Sequence, residues 1–241
     1  MPVLLPLGAL LLAGSLSAMA QSADADRTLK AVVVKEKAEA PEGKDALRAT
    51  ETTIGKGRQL LRDIPQSVTV VTEKLIVDRN LDTVKEALKN TSGISFLAAE
   101  GGEEDIRLRG LSLQATGDIF IDGMRDPAFY ERDTFNLDRL EVLRGSASML
   151  FGRGSTGGAV NQVSKQPRAI DENAVSLTVG NRNYVRATGD FNIRTGENAA
   201  VRINAMTTQA DNNGIAAAYR FEIGTANEFS LGLYSLKTTM A

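Results

Sequence analysis

FNLDRLEVLRGSASMLFGRGSTGGAVNQVSKQP, residues Phe135 to Pro167, decides how this chain is read. Leu140-Glu141-Val142-Leu143-Arg144-Gly145 alternates as a strand does, and Ser146 to Phe151 reads as a short turn or helix. Gly152-Arg153-Gly154-Ser155-Thr156-Gly157 then fits the spacing G-x-G-x-x-G. A dinucleotide loop with that spacing follows a strand and opens a helix, whose N-terminus holds the pyrophosphate. Here Gly158-Ala159-Val160-Asn161-Gln162-Val163 follows, and it reads as a strand. No Gly-Lys-Ser/Thr is present, so a P-loop is excluded too. The glycines are better explained as a backbone reversal between two strands.

Composition narrows the chemistry. The 241 residues carry 28 Lys plus Arg against 30 Asp plus Glu, a net charge of -2, which argues against a nucleic-acid-binding surface. There is no Cys, His or Trp. Cys/His zinc sites, Cys nucleophiles and Ser-His-Asp triads are therefore excluded. Asp122, Asp126, Glu131 and Asp133 form a carboxylate-rich loop whose ordinary meaning is solvation. No paired acid and base can be assembled, and the chain is not expected to be an enzyme.

Working toward the N-terminus, Asp118-Ile119-Phe120-Ile121-Asp122-Gly123 is a strand entering an Asp-Gly turn, and Ile106-Arg107-Leu108-Arg109-Gly110 alternates apolar with basic. Ile94 to Leu97 is a further short strand. Leu81, Val84, Ala87 and Leu88 share one helical face, ended near Ser92-Gly93. Val68 to Thr72 is a strand started by Pro65, and Thr72 is placed to N-cap a helix over Glu73 to Asp78. Residues 62–167 are thus expected to form an α+β domain.

Before that domain, residues 21–61 are polar and mixed in charge and are expected to be a flexible arm. Within it, Leu29-Lys30-Ala31-Val32-Val33-Val34 is a β-branched run, suited either to add a strand to a partner's sheet edge or to start the following domain. Residues 1–20 combine an apolar core from Val3 to Ala13 with Ala18 and Ala20 in an A-x-A pattern, the form of a secretory signal peptide, although no Lys or Arg precedes the core. After Ala20 no apolar run is long enough for a membrane helix.

Residues 168–241 change style. Val175, Leu177 and Val179 alternate with small or polar residues, and so do Tyr184 to Ile193, Ala199 to Gln209, Ile215 to Gly224 and Glu228 to Thr238. Strands of about 9–11 residues with one apolar face suit an outer-membrane barrel, and they suit a soluble sandwich as well. The export signal and the preceding domain favour the membrane.

LEVLRGSASMLFGRGSTGGAVNQVSKQP, with IRLRGL, DIFIDGMRD and DIPQSVTVVT in the same order, resembles the plug domain of TonB-dependent outer-membrane siderophore receptors, the catecholate-type branch above all. The resemblance runs from Arg27 to about Gln209. It implies a mixed-sheet plug with short helices inside a transmembrane β-barrel of about 22 strands, taking up ferric siderophore across the outer membrane. It identifies Leu29, Lys30, Ala31, Val32, Val33 and Val34 as a TonB box pairing with TonB, which works with its inner-membrane energising complex. It places Arg109, Arg144 and the neighbouring Glu141 at the plug–barrel contact, where the bland reading is a solvated strand face. Gln114, Arg125 and Tyr130 become candidates for meeting an anionic, aromatic ferric chelate, the surface-loop reading standing beside it. No covalent cofactor, metal site or nucleic acid is implied, and outer-membrane lipid is. The residues between Gln21 and Arg62 are too few and too polar for an added signalling domain. About five strands before Ala241 fall short of any closed barrel, so the chain is expected to be truncated and inactive in transport by itself. The competing expectation is a stand-alone exported plug that binds TonB or ligand.

Overall fold

The computed structural model describes residues 44–98, 104–126, 130–152, 157–181, 183–209 and 212–237. The signal peptide expected over 1–20 and the Leu29–Val34 run lie outside these residues. Strands β1 (Glu51–Thr52) and β2 (Gln59–Leu60) pair as a hairpin, followed by a 3-10 turn over Leu61–Asp63. This replaces the flexible arm expected up to residue 61. Ile54, 2% exposed, packs with Phe120, Leu143, Ala147, Phe151 and Ala159. The ordering escaped the sequence because one isoleucine in a polar stretch carries no periodicity.

Strand β3 (Ser67–Thr72) leads into helix α1 (Glu73–Asp78), where Thr72 Oγ1 accepts from the Leu75 amide at 3.5 Å. Helix α2 (Val84–Leu88) opens on a capping box: Glu86 N donates to Thr83 Oγ1 at 3.1 Å, and Thr83 N to Glu86 Oε2 at 3.3 Å. This helix is shorter than the sequence implies, and Leu81 lies in the turn before it, still packed on the core. Then come β4 (Ile94–Ala98), β5 (Glu104–Leu108), β6 (Leu111–Ser112), α3 (Leu113–Thr116), β7 (Ile119–Ile121) and β8 (Met124–Arg125). The opening stretch supplies β9 (Leu137–Arg144), α4 (Ser148–Phe151) and β10 (Gly158–Ser164).

The larger plug sheet has the order β3-β9-β10-β7-β8; β10 runs parallel to β7 and the other pairs are antiparallel. It is buried on both faces. Leu140, Val142 and Val160 meet Ile76, Val84, Leu88 and Leu113 on one side, while Leu143 and Ala159 meet Ile54 and Phe151 on the other. Each such fully buried leucine contributes roughly 1.5–3 kcal/mol relative to exposure.

The residues after the glycine loop form β10, where a dinucleotide loop would open a helix. Gly158 has φ +134°, and a Cβ there would sit 2.1 Å from the Leu143 carbonyl oxygen and 2.5 Å from Leu108 Cδ2. Glycine is needed for close strand packing, not for a phosphate.

A second sheet contains β11 (Glu172–Val179), β12 (Val185–Arg194), β13 (Ala199–Thr208), β14 (Asn213–Phe221) and β15 (Phe229–Lys237), antiparallel and in chain order. Registers Phe191↔Ile203, Ile203↔Ala217 and Ala217↔Leu233 put these residues on one face. That face is apolar and exposed: Val175, Leu177, Ile193, Ile203, Ile215, Leu231 and Leu233 all lie uncovered. The opposite face carries Arg186, Asp190, Asn192, Arg202 and Asn204, all buried.

Candidate functional site

The buried polar face of the five-stranded sheet meets the plug through two charged clusters. Both follow from strand periodicity. Arg186 and Asp190 sit four residues apart on β12, and Arg202 pairs across from Asn192, so all three project the same way.

The first cluster joins Asp190, Arg202, Lys165 and Glu73. Arg202 grips Asp190 in a fork, Nε to Oδ1 at 2.8 Å and Nη2 to Oδ2 at 2.6 Å. Lys165, just past β10, donates to Asp190 Oδ2 at 3.1 Å. Glu73, at the start of α1 and 4% exposed, lies 3.1 Å from Lys165 Nζ and 3.9 Å from Arg202. Its Oε1 makes both of these ion pairs, and neither oxygen has an aligned hydrogen bond. Lys44 stands 3.8 Å from Asp190 and 3.9 Å from Glu172. Two cations and two anions thus neutralise one another in the buried heart of the contact. Such a set is stable only while every partner remains.

The second cluster holds Arg186 between two plug carboxylates. Its Nη1 and Nη2 donate to Asp133 at 2.6 Å each, and its Nε is 3.2 Å from Asp82. The Tyr184 hydroxyl donates to Asp82 as well. Burial raises the Asp82 pKa above the ordinary carboxylate value, opposed by the Tyr184 hydrogen bond and by Arg186. Around these clusters, Arg168 bridges to Asp138 at 3.0 Å, Asn192 accepts from Arg168 N at 2.9 Å, and Asn204 Nδ2 donates to Asn136 Oδ1 at 3.0 Å. Apolar closure comes from Phe135, Met206 and Ala216, with Phe135 and Tyr234 stacked at 5.8 Å.

The residues expected at this contact sit elsewhere. Arg144 Nε donates to the Ser92 carbonyl at 3.0 Å and its Nη1 to Thr69 Oγ1 at 2.7 Å, both within the plug. Burial, and then the nearby Arg109, lowers the Arg144 pKa. Arg109 is exposed, at φ 52°, in the turn after β5. Glu141, fully buried on β9, accepts from Thr53 N at 2.8 Å, Arg139 Nε at 2.9 Å and Asn161 Nδ2 at 3.0 Å. It ties the β1–β2 hairpin to the plug sheet. Sequence reading placed Arg186 and Asp190 on a polar strand face and missed them as contacts. The signal was there: fully charged residues alternating with lipophilic ones need partners on the face they share.

The three ligand candidates occupy different surroundings. Gln114, 4% exposed on α3, has both amide atoms without a hydrogen-bond partner. Arg125 donates to the Phe151 carbonyl at 2.9 Å, with its guanidinium 5.9 Å from the Phe120 ring centre. The Tyr130 hydroxyl donates to Asp126 at 2.9 Å, and Arg132 covers its ring at 4.5 Å. Burial, with Asp126, pushes the Tyr130 phenol up to about 12. Gln114 is inward and satisfied by nothing described, whereas Arg125 and Tyr130 already spend donors on the protein.

Residues 60–159 match the family TonB-dependent Receptor Plug Domain. The chain is 38% identical over 175 residues to the probable TonB-dependent receptor BfrD of Bordetella pertussis, covering 72% of this chain and 24% of that protein. The crystal structure of the ferric-catecholate import receptor Fiu from Escherichia coli K12, in its open form, superposes with TM-score 0.68 at 32% identity, over 74% of this chain and 28% of that one. The siderophore receptor PiuA from Acinetobacter baumannii gives TM-score 0.73 at 29% identity, over 81% and 30% respectively. The chain spans about a quarter of the length of these relatives, 24% of BfrD and 28% of PiuA.

Proposed function

We propose that this chain, which carries a TonB-dependent receptor plug domain over residues 60–159 and resembles the N-terminal portion of catecholate siderophore receptors, is the plug and leading wall strands of an outer-membrane receptor for ferric siderophores. The observation that carries the reading is the inverted second sheet. Its apolar face is left to the surroundings and its charged face is closed by the plug, as a lipid-facing wall around a plug requires. Residues 1–20 direct export, Leu29 to Val34 form the strand that TonB captures, and the wall sits in outer-membrane lipid. Arg109 and Arg144 are assigned to contact with the wall, which the buried Glu141 supports by tying the β1–β2 hairpin to the plug sheet, and Gln114, Arg125 and Tyr130 to the ligand-facing side of the plug. The ferric chelate is cargo, not a cofactor.

In the described residues, β11 and β15 each keep one unpaired edge. Lipid does not tolerate such edges, and closure takes at least about eight strands.

The test is radioiron uptake from a ferric dihydroxybenzoate complex. Cells lacking their own catecholate receptors would express the protein. TonB-dependent accumulation is the expected result, abolished by Val33→Pro, which removes a ladder donor from the captured strand. Accumulation that is equal with and without TonB would overturn the proposal.

A further inference from the structure

A cavity of about 380 Å³ opens where three segments meet. One is the stretch leading into and around the β1–β2 hairpin, the second is the connection from β10 to β11, and the third is β14, which contributes Arg220 near its end. Six cations line it: Lys44, Arg48, Arg58, Arg139, Arg168 and Arg220. Among the described residues only two carboxylates do, and both are already answered. Asp138 pairs with Arg139 at 2.8 Å and with Arg168 at 3.0 Å, and Glu73 pairs with Lys165 at 3.1 Å. Arg139 and Arg220 also reach carboxylates outside the lining, Glu141 and Glu228, each at 2.9 Å. Three cations are left short. Arg48 is exposed and makes no hydrogen bond or ion pair among the described residues. Lys44 lies 3.8 Å from Asp190 and 3.9 Å from Glu172, and Arg58 lies 3.9 Å from Glu51, all too long for hydrogen bonds. Asp190, moreover, is already forked by Arg202.

We propose that this cavity binds a small tetrahedral oxyanion of the phosphate class, held by Lys44, Arg48 and Arg58. A concave site lined by one sign of charge concentrates its potential on whatever enters. Guanidinium groups match the oxygens of such an ion in pairs, and lysine adds a point charge. Ser164 and Gln166 add neutral polar groups to the lining, and no aromatic residue among the described ones lines it. The flat rings of a catecholate would find no face there, while a compact dianion needs none. The volume leaves room around one such ion for bridging waters. The ion is soluble and not a lipid headgroup: Arg220 is in register with Ser230 on the inward face, away from the apolar face. Once bound, it joins pieces that the chain ties down separately. Lys44 and Arg48 precede the hairpin, Arg58 lies in its turn, and Arg168 and Arg220 belong to the wall side. The oxyanion thus clamps the entry of the chain into the plug against the wall, a role separate from transported cargo.

The test is calorimetric titration of inorganic phosphate into the protein in neutral detergent, against chloride at matched ionic strength, since exposed charges are screened by salt. Saturable binding of one phosphate per chain is expected. It should weaken about tenfold in the double variant Lys44→Gln, Arg48→Gln, which removes two of the three charges that hold the ion. It should be unchanged in Lys85→Gln, which removes an exposed cation on α2. Arg58→Gln changes a side chain 79% exposed, so the fold does not depend on it, and it should weaken binding about threefold. Heats no different from those of chloride overturn the site. So does an affinity that the double variant and Arg58→Gln both leave unchanged, and so does an equal loss in Lys85→Gln, which would reduce the effect to net charge. A final titration repeats the phosphate binding with saturating ferric dihydroxybenzoate present. Unchanged phosphate affinity supports a site separate from cargo, and displacement of phosphate by the chelate overturns it. Neither outcome depends on whether the protein transports.

Discussion

In the plug sheet, β9 turns Leu140 and Val142 toward one packed layer and Leu143 toward another. In the second sheet, β12 and β13 turn Arg186, Asp190 and Arg202 inward and leave Phe191 and Ile203 exposed. Both sheets are built from alternating strands, and they invert the chemistry of inside and outside. The plug obeys the rule of a water-soluble domain, in which apolar area is removed from solvent. The other sheet hides its charges and displays its apolar side chains, which is stable only where the surroundings are themselves apolar. Periodicity alone marks a two-faced strand. Which face is buried depends on what lies on each side.

The comparison breaks first at its charged seam. Arg202→Ala removes the fork on Asp190 and leaves Asp190 and Glu73 to Lys165, with Lys44 3.8 Å from Asp190. A buried partner lost in this way costs about 3–5 kcal/mol. Denaturant unfolding of the plug–wall unit in micelles should show a loss of that order, and changing Arg202 and Asp190 together to Met and Leu should recover most of it. A loss confined to a few tenths of a kcal/mol would mean that the seam is hydrated and not buried.

Next in size is a charge on the displayed face. Leu233→Arg sits near the middle of β15 on the side that carries Ile203 and Ala217. In a bilayer it should cost about 2–4 kcal/mol, against little for Ser230→Arg on the inward face. If Ser230→Arg proves the costlier of the two in refolding into lipid vesicles, the faces have been assigned the wrong way round.

The smallest effect belongs to the plug alone. Thr83→Ala removes the capping box of α2 and should cost about 1 kcal/mol in plug stability, with no change in how the wall inserts. Thermal unfolding and an insertion assay on the same variant separate the two; an insertion defect would show that plug and wall do not fold as separable layers.

Much of this architecture was legible beforehand, and the limits were physical. Helix α1 over Glu73–Asp78 was readable because Thr72 is a side-chain cap placed directly before it. Strand β10 could be read after the glycine stretch because β-branched Val160 and Val163 lie in it. Residues 50–61 were not readable as part of the domain, since their anchor is one buried Ile54 and a hydrogen bond from Thr53 to a glutamate 88 positions away. The charged seam was half readable: strand alternation places Arg186, Asp190 and Arg202 on one face, but their partners Asp82, Asp133, Lys165 and Glu73 come from turns and helix starts with no shared period. Arg144 shows the converse. A basic residue at a strand end looks available to an outside partner, and here it is bonded to Ser92 and Thr69 of its own domain.

The inversion itself is most directly measured with single tryptophans, because the chain has none of its own. Leu231→Trp and Ser230→Trp are neighbours on β15 that point to opposite faces, and the protein carrying either can be reconstituted in vesicles of acyl-chain-brominated lipid. The account predicts strong bromine quenching at 231 and little at 230. Equal quenching at both positions, or stronger quenching at 230, would contradict a wall whose apolar face meets lipid and whose charged face meets the plug.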